Sequence, residues 1–486
     1  MTDILDDQGV FWWRTSDPRI KICDFENSIA GRLVIAEDGS AALELHGVLS
    51  ETNNFIHRML GGESDDIGDS IIQGVLKTAG EQVILLGLYT SGGRASFGGM
   101  SYERYGAETC LVGHSKLPKS GELKFNCLDV DLKGYEEWHE INSIASRRTT
   151  RSLKVSYNKV KASVYDLAAG RKLAITSTLK GPYLGDDKFS AIELVEKIGI
   201  EIRSPTPVPV DTHLREYRNL CHFVYLLTGS EYNLEWPVLI SKKRNSASGF
   251  FKVYEYRKPG LATPPGRHSS WLNLDDVKAS FGQLYDGWRE KQEKLGPCVG
   301  LFFGARRHLG LYAENRFVNL IWGLESLHRG CFILEGKAPM GAKADRILKA
   351  IIDTGLFNKS DRRFIKERFE GRFEPSLAER LHECIKDLDL PVDSNDLKAF
   401  CERCAGIRND ISHFGGRRPG SLYQSLIDEI IVKTEVVAVL YRALLLKETG
   451  LGSQAIRKVF TAGHSSRLIR RAFERAGVKI LPVLLK

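Results

Sequence analysis

The sequence predicts an α+β multidomain chain. A β-rich N-terminal domain, an antiparallel sandwich or barrel-like sheet, is followed by an all-α helical bundle. Three observations carry this. Up to about residue 205, short apolar runs alternate at strand spacing between turn residues. Two Pro/Gly-rich stretches, 204–210 and 260–266, interrupt the chain. From Asp275 onward the apolar residues recur at helical spacing. A length of 486 residues accommodates two or three domains with sizeable cores. The division is drawn at 1–270, 271–449 and a basic helical tail, 450–486.

Composition narrows the class. Hydrophobic residues make up 42% and charged residues 27%, as in a globular protein. The acidic start, Met1-Thr-Asp-Ile-Leu-Asp-Asp, has no signal-peptide pattern. No apolar run approaches the ~18 residues of a membrane span. A cytoplasmic location without a membrane partner is therefore expected. The net charge of +8 is compatible with a nucleic-acid partner without establishing one. Nine scattered cysteines suit a reducing compartment. Cys401 and Cys404 form the only CxxC, and both fall on the apolar stripe of a helix. Core packing explains them better than a metal, and neither metal nor cofactor is expected.

Taken in order, residues 29–36 and 41–49 read as strands joined by the hairpin signal Glu37-Asp-Gly-Ser40. Further strands are expected at 83–89, 107–112, 122–130, 155–157, 162–165 and 173–178. Phe11-Trp12-Trp13 reads as a plug for the β core. Ser91-Gly92-Gly93 and Gly98-Gly99 bracket Arg94 and Phe97 in a flexible loop. That loop lacks the strand-then-helix context of a phosphate loop, so it reads as a hairpin connection. The stretch 204–210 breaks the strand pattern, 211–227 is helical, and 235–256 returns to strand. Lys242-Lys-Arg244 is a short basic turn. Helices are then expected at 277–294, 306–329, 344–354, 360–369, 376–387, 396–413 and 422–447. They form a bundle of at least four. The tail reads as one or two short helices. Its arginines, Arg467, Arg470 and Arg471 among them, suit either phosphate contacts or a plain solvated face.

The sharpest chemistry lies at Arg408-Asn409-Asp410-Ile411-Ser412-His413. Leu397, Phe400, Cys401, Cys404, Ile407 and Ile411 give this run an apolar face. Asp393-Ser394 supplies N-cap oxygens and Gly415-Gly416 a stop. Asn409 and His413, at i and i+4, share a face. Arg408 and His413 are roughly 140° apart on an ideal helix, so the Arg must reach round or the helix must loosen. A C-terminal His, with its reference pKa of about 6.5, suits proton transfer near neutrality. An Arg that binds phosphate and a His that moves protons suffice to cleave RNA without a metal. A surface Arg and a helix-capping His are the bland alternative. No nucleotide loop or serine-type triad stands out.

An α-bundle with Arg-Asn-x-x-x-His near the end of its penultimate helix resembles a HEPN domain, a helical family rich in metal-independent ribonucleases. The helix Asn315–Arg329 resembles the one in which many members place an acidic residue behind the Arg/His pair; here that residue is Glu325. Gly31-Arg-Leu33 and Leu43-Glu-Leu-His-Gly47, ahead of such a bundle, are similar to the ApeA family of bacterial anti-phage proteins. The resemblance implies roles. Arg408 would hold the scissile phosphate and His413 would act as base or acid. Asn409 would position phosphate or His. Glu325 would orient Arg408, where an ordinary surface pair with Arg329 is the alternative. It also implies a dormant toxin of abortive infection that acts as a homodimer or higher homo-oligomer, with a phage-encoded trigger. Its target would be cellular RNA in single-stranded loops, tRNA anticodon loops among them. Asp410 is left as either a site residue or a solvated one. Two other readings stand beside the nuclease: a non-catalytic HEPN module that binds nucleotide or a partner, with the β domain as sensor, and a DNA-binding regulator acting through the tail.

Overall fold

The structure is a computed structural model. It describes residues 3–14, 26–49, 70–114 apart from 95 and 97, 122–180, 194–241, 249–307 apart from 259, 261 and 262, 310–331, 339–370, 375–414 and 423–481. For 180, 307, 339–345, 366–370, 413, 414, 463 and 464 it describes the backbone alone. The chain divides into two compact units. The first comprises Met1–Tyr225 and Ser230–Gly266, and the second Leu226–Gly229 and Arg267–Lys486.

The first unit is built on one twelve-stranded antiparallel sheet, part of which closes on itself. Strands β1 (Leu5–Trp13), β2 (Ile29–Ile35), β3 (Ala41–Leu45), β4 (Ile72–Leu76), β5 (Gln82–Arg94) and β6 (Tyr102–His114) form a six-stranded barrel. The ring runs β1-β2-β3-β6-β5-β4 and returns to β1. Period-two patterning drives it. In β2, Gly31, Leu33 and Ile35 are buried while Ala30 and Arg32 face solvent. Phe11 and Trp12 are buried on β1, and Phe11 joins Leu33, Leu43, Ile72, Leu85 and Tyr105 in the barrel core. The β2–β3 turn needs a glycine: Gly39 has φ +83°, and its N–H donates to the Ala36 carbonyl at 2.8 Å.

Long β6 pairs with β5 along one side. On the other it meets β3 through its first half and β14 (Gly249–Glu255) through its second. From there the sheet continues through β13 (Val238–Ser241), β7 (Lys124–Asp131), β12 (Val195–Pro209) and β11 (Lys172–Lys180) to β10 (Ser163–Asp166). Strands β8 (Ile144–Arg148) and β9 (Leu153–Tyr157) make a separate two-stranded ribbon. Helix Val210–Thr228 follows β12.

The second unit is helical. Helix Phe281–Leu295 ends at Gly296, with φ +55°, and Pro297 opens the next helix, Pro297–Arg307. Helices Ala313–Cys331, Pro339–Asp353, Lys359–Glu370, Leu377–Asp387, Ser394–Phe414 and Tyr423–Glu448 follow. Ser376 and Glu379 form a reciprocal capping box at the start of Leu377–Asp387. Helix Tyr423–Glu448 is central: its N-terminal turn is exposed, and its Ile/Val/Leu-rich C-terminal half, from Val436 to Leu446, is largely buried. Tyr441 on it is fully buried and donates its hydroxyl to the Cys298 carbonyl at 2.8 Å. Helices Ser453–Thr461 and Gly463–Arg475 bury Ile456, Phe460, Ile469 and Phe473 within this unit. Cys401 and Cys404 are buried core thiols, and desolvation pushes the Cys401 thiol up to about 12.

Several expectations are corrected. Ser91–Arg94 belongs to β5 and not to a loop; the ladder absorbs its glycines through a register shift between Thr90 and Gly92. The Pro-rich stretch 204–210 does not stop β12 at Ser204: the strand runs on to Pro209 before Val210 opens the next helix. Within it the pairing with β7 lapses between Arg203 and Val208, as prolines without an N–H require. The single helix expected over 306–329 is two helices, with Gly310 in the break. That over 277–294 is also split, at 278–280. Strands β1, β4, β8 and β12 and helix Pro297–Arg307 went unread. Lys242-Lys-Arg244, Phe97 and Gly415-Gly416 lie outside the described residues.

Two predictions follow from the packing. Gly323 sits on helix Ala313–Cys331, and a Cβ there would lie 2.5 Å from the Tyr441 hydroxyl. Gly323→Ala gains about 1 kcal/mol of helix propensity but overpacks a fixed, buried ring for about 1–3 kcal/mol. A net loss of stability in a denaturant melt is expected, and Gly323→Ala with Tyr441→Phe should recover part of it. Separately, burial pushes the imidazoles of His139 and His213 below their ordinary value of 6.5. Both hold a proton less readily folded than unfolded, so the unfolded chain takes up more protons as pH falls through about 6.5. Their contribution is complete above about pH 7 and lost below that window. The melting temperature should therefore fall between about pH 7.5 and about pH 5.5, and by less in a His139→Gln, His213→Gln variant.

Candidate active site

Two helices carry the residues of interest. Helix Ala313–Cys331 buries Phe317, Leu320, Ile321, Leu324 and Leu327, which leaves Glu325 half-buried beside that stripe. Helix Ser394–Phe414 buries Leu397, Phe400, Cys401, Cys404 and Ile407. Asp393 starts it: its Oδ1 accepts from the backbone N–H of Asn395 at 2.9 Å and of Asp396 at 3.0 Å. The two helices pack together, and helix Tyr423–Glu448 supports them. Arg403 donates from Nε to Glu429 Oε1 at 2.8 Å, with a second contact from Nη2 to Oε2. The hydrogen bond to Glu429, with the nearby Asp410 charge adding to it, raises the Arg403 pKa.

At the end of this framework, Arg408 meets Glu325. Arg408 Nη2 lies 3.8 Å from Glu325 Oε2, and both side chains are 22% exposed. The same carboxylate also holds Arg329, whose Nη2 reaches Glu325 Oε1 at 3.2 Å across one helical turn. The neighbouring-helix pair and the ordinary surface pair, alternatives in the sequence, coexist on one carboxylate. Arg408 Nη1 donates to Asn409 Oδ1 at 3.1 Å. Its Nε is buried without a hydrogen-bond partner among the described residues. Arg408 is thus oriented by opposite charge on one side and keeps donor capacity that no group among the described residues consumes.

His413 occupies the penultimate position of the helix. The backbone stays α-helical from Arg408 to His413, so no loosening brings the two round to one face. Asn409 is exposed. Asp410 does not face solvent: it is 5% exposed, on the side of Arg403 and Ile407. Its burial was not legible from a polar residue one turn from a helix end. The signal available was its i+3 spacing from Ile407.

Arg467, Arg470 and Arg471 are exposed on helix Gly463–Arg475, at i, i+3 and i+4. None of the three has an ion pair among the described residues. They lie on the face opposite the buried Ile469 and Phe473, where exposed Glu474 also sits. No group of three or more His, Cys, Asp or Glu placed to hold a metal occurs among the described residues.

Residues 8–288 match the family described as ApeA N-terminal domain 1, more than half of the chain, and residues 318–454 match Apea-like HEPN. The chain belongs to the ApeA family. The first ApeA match runs past Gly266 into helix Phe281–Leu295, and the second starts inside the Glu325 helix and ends just beyond the central helix. HEPN domains are generally ribonucleases that dimerise, and the ApeA-like ones point to an anti-phage nuclease family. No curated protein and no solved structure matches the chain. No helix among the described residues is long and apolar enough to cross a membrane.

The shared carboxylate makes a stability prediction. Both ion pairs of Glu325 are partly solvated, so each contributes at most about 1 kcal/mol. Together they contribute at most about 2 kcal/mol, so Glu325→Gln should melt within about 8 °C of the unsubstituted protein. A larger drop in a thermal scan would mean that Glu325 holds the fold together and does not merely aim Arg408.

Proposed function

We propose that this protein is a metal-independent RNA endonuclease of abortive anti-phage defence. The observation that supports it best is the placement of Arg408: a half-buried guanidinium, tethered to Glu325 on the adjacent helix, with donors to spare, in an Apea-like HEPN domain. An Arg fork suits two phosphate oxygens and the charge that builds on them during transfer. His413 takes the proton from the ribose 2′-OH, or returns one to the leaving 5′-oxygen. The 2′-oxygen attacks its own phosphorus, the bond from phosphorus to the 5′-oxygen breaks, and the products carry 2′,3′-cyclic phosphate and 5′-OH ends. Asn409 steadies Arg408 or the phosphate, and Glu325 orients Arg408. Arg467, Arg470 and Arg471 contact the RNA backbone.

The unbroken helix keeps Arg408 and His413 on different faces, which favours pairing two copies so that two Arg/His sets share one groove. A homodimer or higher homo-oligomer is the working form. The substrate is cellular RNA in exposed single-stranded loops, tRNA anticodon loops foremost, because a flexible strand lets the 2′-oxygen line up for attack. The β-rich domain, with a phage-encoded trigger, controls when the bundle acts.

The test is cleavage of total cellular RNA in excess EDTA, with the ends mapped. The unsubstituted protein should leave cyclic-phosphate and 5′-OH ends, and His413→Ala should cut about 10²–10⁴-fold more slowly. Arg408→Ala should lose at least as much, and Glu325→Gln an intermediate amount. Equal cutting by His413→Ala would overturn the mechanism. RNA binding without cutting, by the full chain and with trigger present, would leave a non-catalytic HEPN module.

A further inference from the structure

Between Glu140 and Asp166 the chain carries Arg147, Arg148, Arg151, Lys154, Lys159 and Lys161 and no Asp or Glu. Four of these cations belong to the β8–β9 ribbon or its turn. The ribbon pairs with no other strand among the described residues. Its register sets Arg147 directly opposite Lys154, on the same face as Ala145 and Ser156. Arg148 stands opposite Leu153 on the other face, and Arg151 lies in the turn. That turn is ordered: Thr149 N–H donates to the Ser152 carbonyl at 2.8 Å, and Ser152 N–H donates to Thr149 Oγ1 at 3.0 Å.

This arrangement costs stability in the free protein. Like charges directly opposite in a ladder repel, and a lone two-stranded ribbon is marginal in water. Several exposed cations elsewhere on the same unit find carboxylates. Arg32 pairs with Asp6, Arg104 with Glu44, Arg218 with Glu255 and Lys172 with Asp166. None of the six cations of 141–165 does so among the described residues. Cations that repel one another across an exposed ribbon are complementary to a line of anions.

We propose that the β8–β9 ribbon is a nucleic-acid-binding arm that grips a sugar–phosphate backbone through Arg147, Arg148, Arg151 and Lys154. A two-stranded ribbon is narrow enough to follow a groove or a strand, with cations on both faces and at its tip. Three of the four are arginines, whose forks match phosphate oxygens. Half-buried Tyr157, at the base of the ribbon, adds a ring beside them. This arm stands on the charge and topology of the first unit alone and does not require the helical bundle to cut RNA.

The test is fluorescence anisotropy with the full chain and a short 2′-O-methyl RNA strand, which cannot be cut through its 2′-oxygen. RNA and DNA duplexes of the same sequence serve as parallel probes. Log affinity is followed against log salt from about 50 to about 200 mM. Replacing Arg147, Arg148, Arg151 and Lys154 with Gln should weaken single-strand binding at least tenfold and flatten the slope by up to about 3. Arg147→Lys, Arg148→Lys and Arg151→Lys together should keep the slope, which also controls for folding. Arg467→Gln, Arg470→Gln and Arg471→Gln together separate any contribution of the tail. The preferred probe distinguishes a single strand from a duplex. Unchanged affinity and slope in the four-residue variant would overturn the arm. So would loss of binding to phosphatidylserine vesicles with nucleic-acid binding intact.

Discussion

The helical unit depends on the close approach of Tyr441 to Gly323. With no side chain at 323, the central helix brings a fully buried Tyr ring against helix Ala313–Cys331, and its hydroxyl goes on to the Cys298 carbonyl. Three helices are thereby tied at one point. Glu325 stands two residues beyond that contact, so the helix packing that Gly323 permits also fixes where its carboxylate sits. Arg408 then needs no partner on its own helix except Asn409. The charge that aims it arrives from a neighbour whose height and rotation the core has already set.

The helix of Arg408 is anchored in a similar way from two sides. Phe400, Cys404 and Ile407 fill the core, while Arg403 and Glu429 make a forked ion pair to the central helix. Lys433 extends that contact, with its ammonium over the Phe400 ring at 4.9 Å. Asp410 adds a buried carboxylate to the same side. One face of the helix is thus committed to packing and paired charge, and its end is left to carry Arg408, Asn409 and His413.

Much of this was legible in the sequence, for identifiable reasons. The alternation in β2 and β3 and the Glu37–Ser40 turn marked a hairpin because a one-residue slip would have turned Leu33 and Leu43 to solvent. Helix Ser394–Phe414 was readable from its apolar spacing and its Asp393 cap. The strands that escaped notice have mixed character: β1 opens Leu5-Asp6-Asp7, β4 is short, β8 puts Ser146, Arg147 and Arg148 after two apolar residues, and β12 mixes charged residues, Gly199 and prolines. Their pairing is imposed by partners distant in the chain, which no local pattern reports. The prolines of β12 were read as a break because propensity does not foresee a bulge. At the candidate site, the approach of Glu325 to Arg408 from the neighbouring helix was legible. What was not legible was that Glu325 divides itself between Arg329 and Arg408, since each pair is plausible alone and only the packing of two helices decides that both form.

The topology of the β sheet bears on how this protein keeps to itself. Closing six strands into a ring leaves those strands without an open side, and of the twelve, β10 alone has a single neighbour among the described residues. That strand is four residues long. Lys159 and Lys161 lie just before it, and Asp166 forms its end. An incoming chain would find few backbone groups to pair with and charges at both approaches. A sheet this extended would ordinarily invite edge-to-edge growth. Here the barrel at one end and the short charged strand at the other make stacking of copies through the sheet unfavourable.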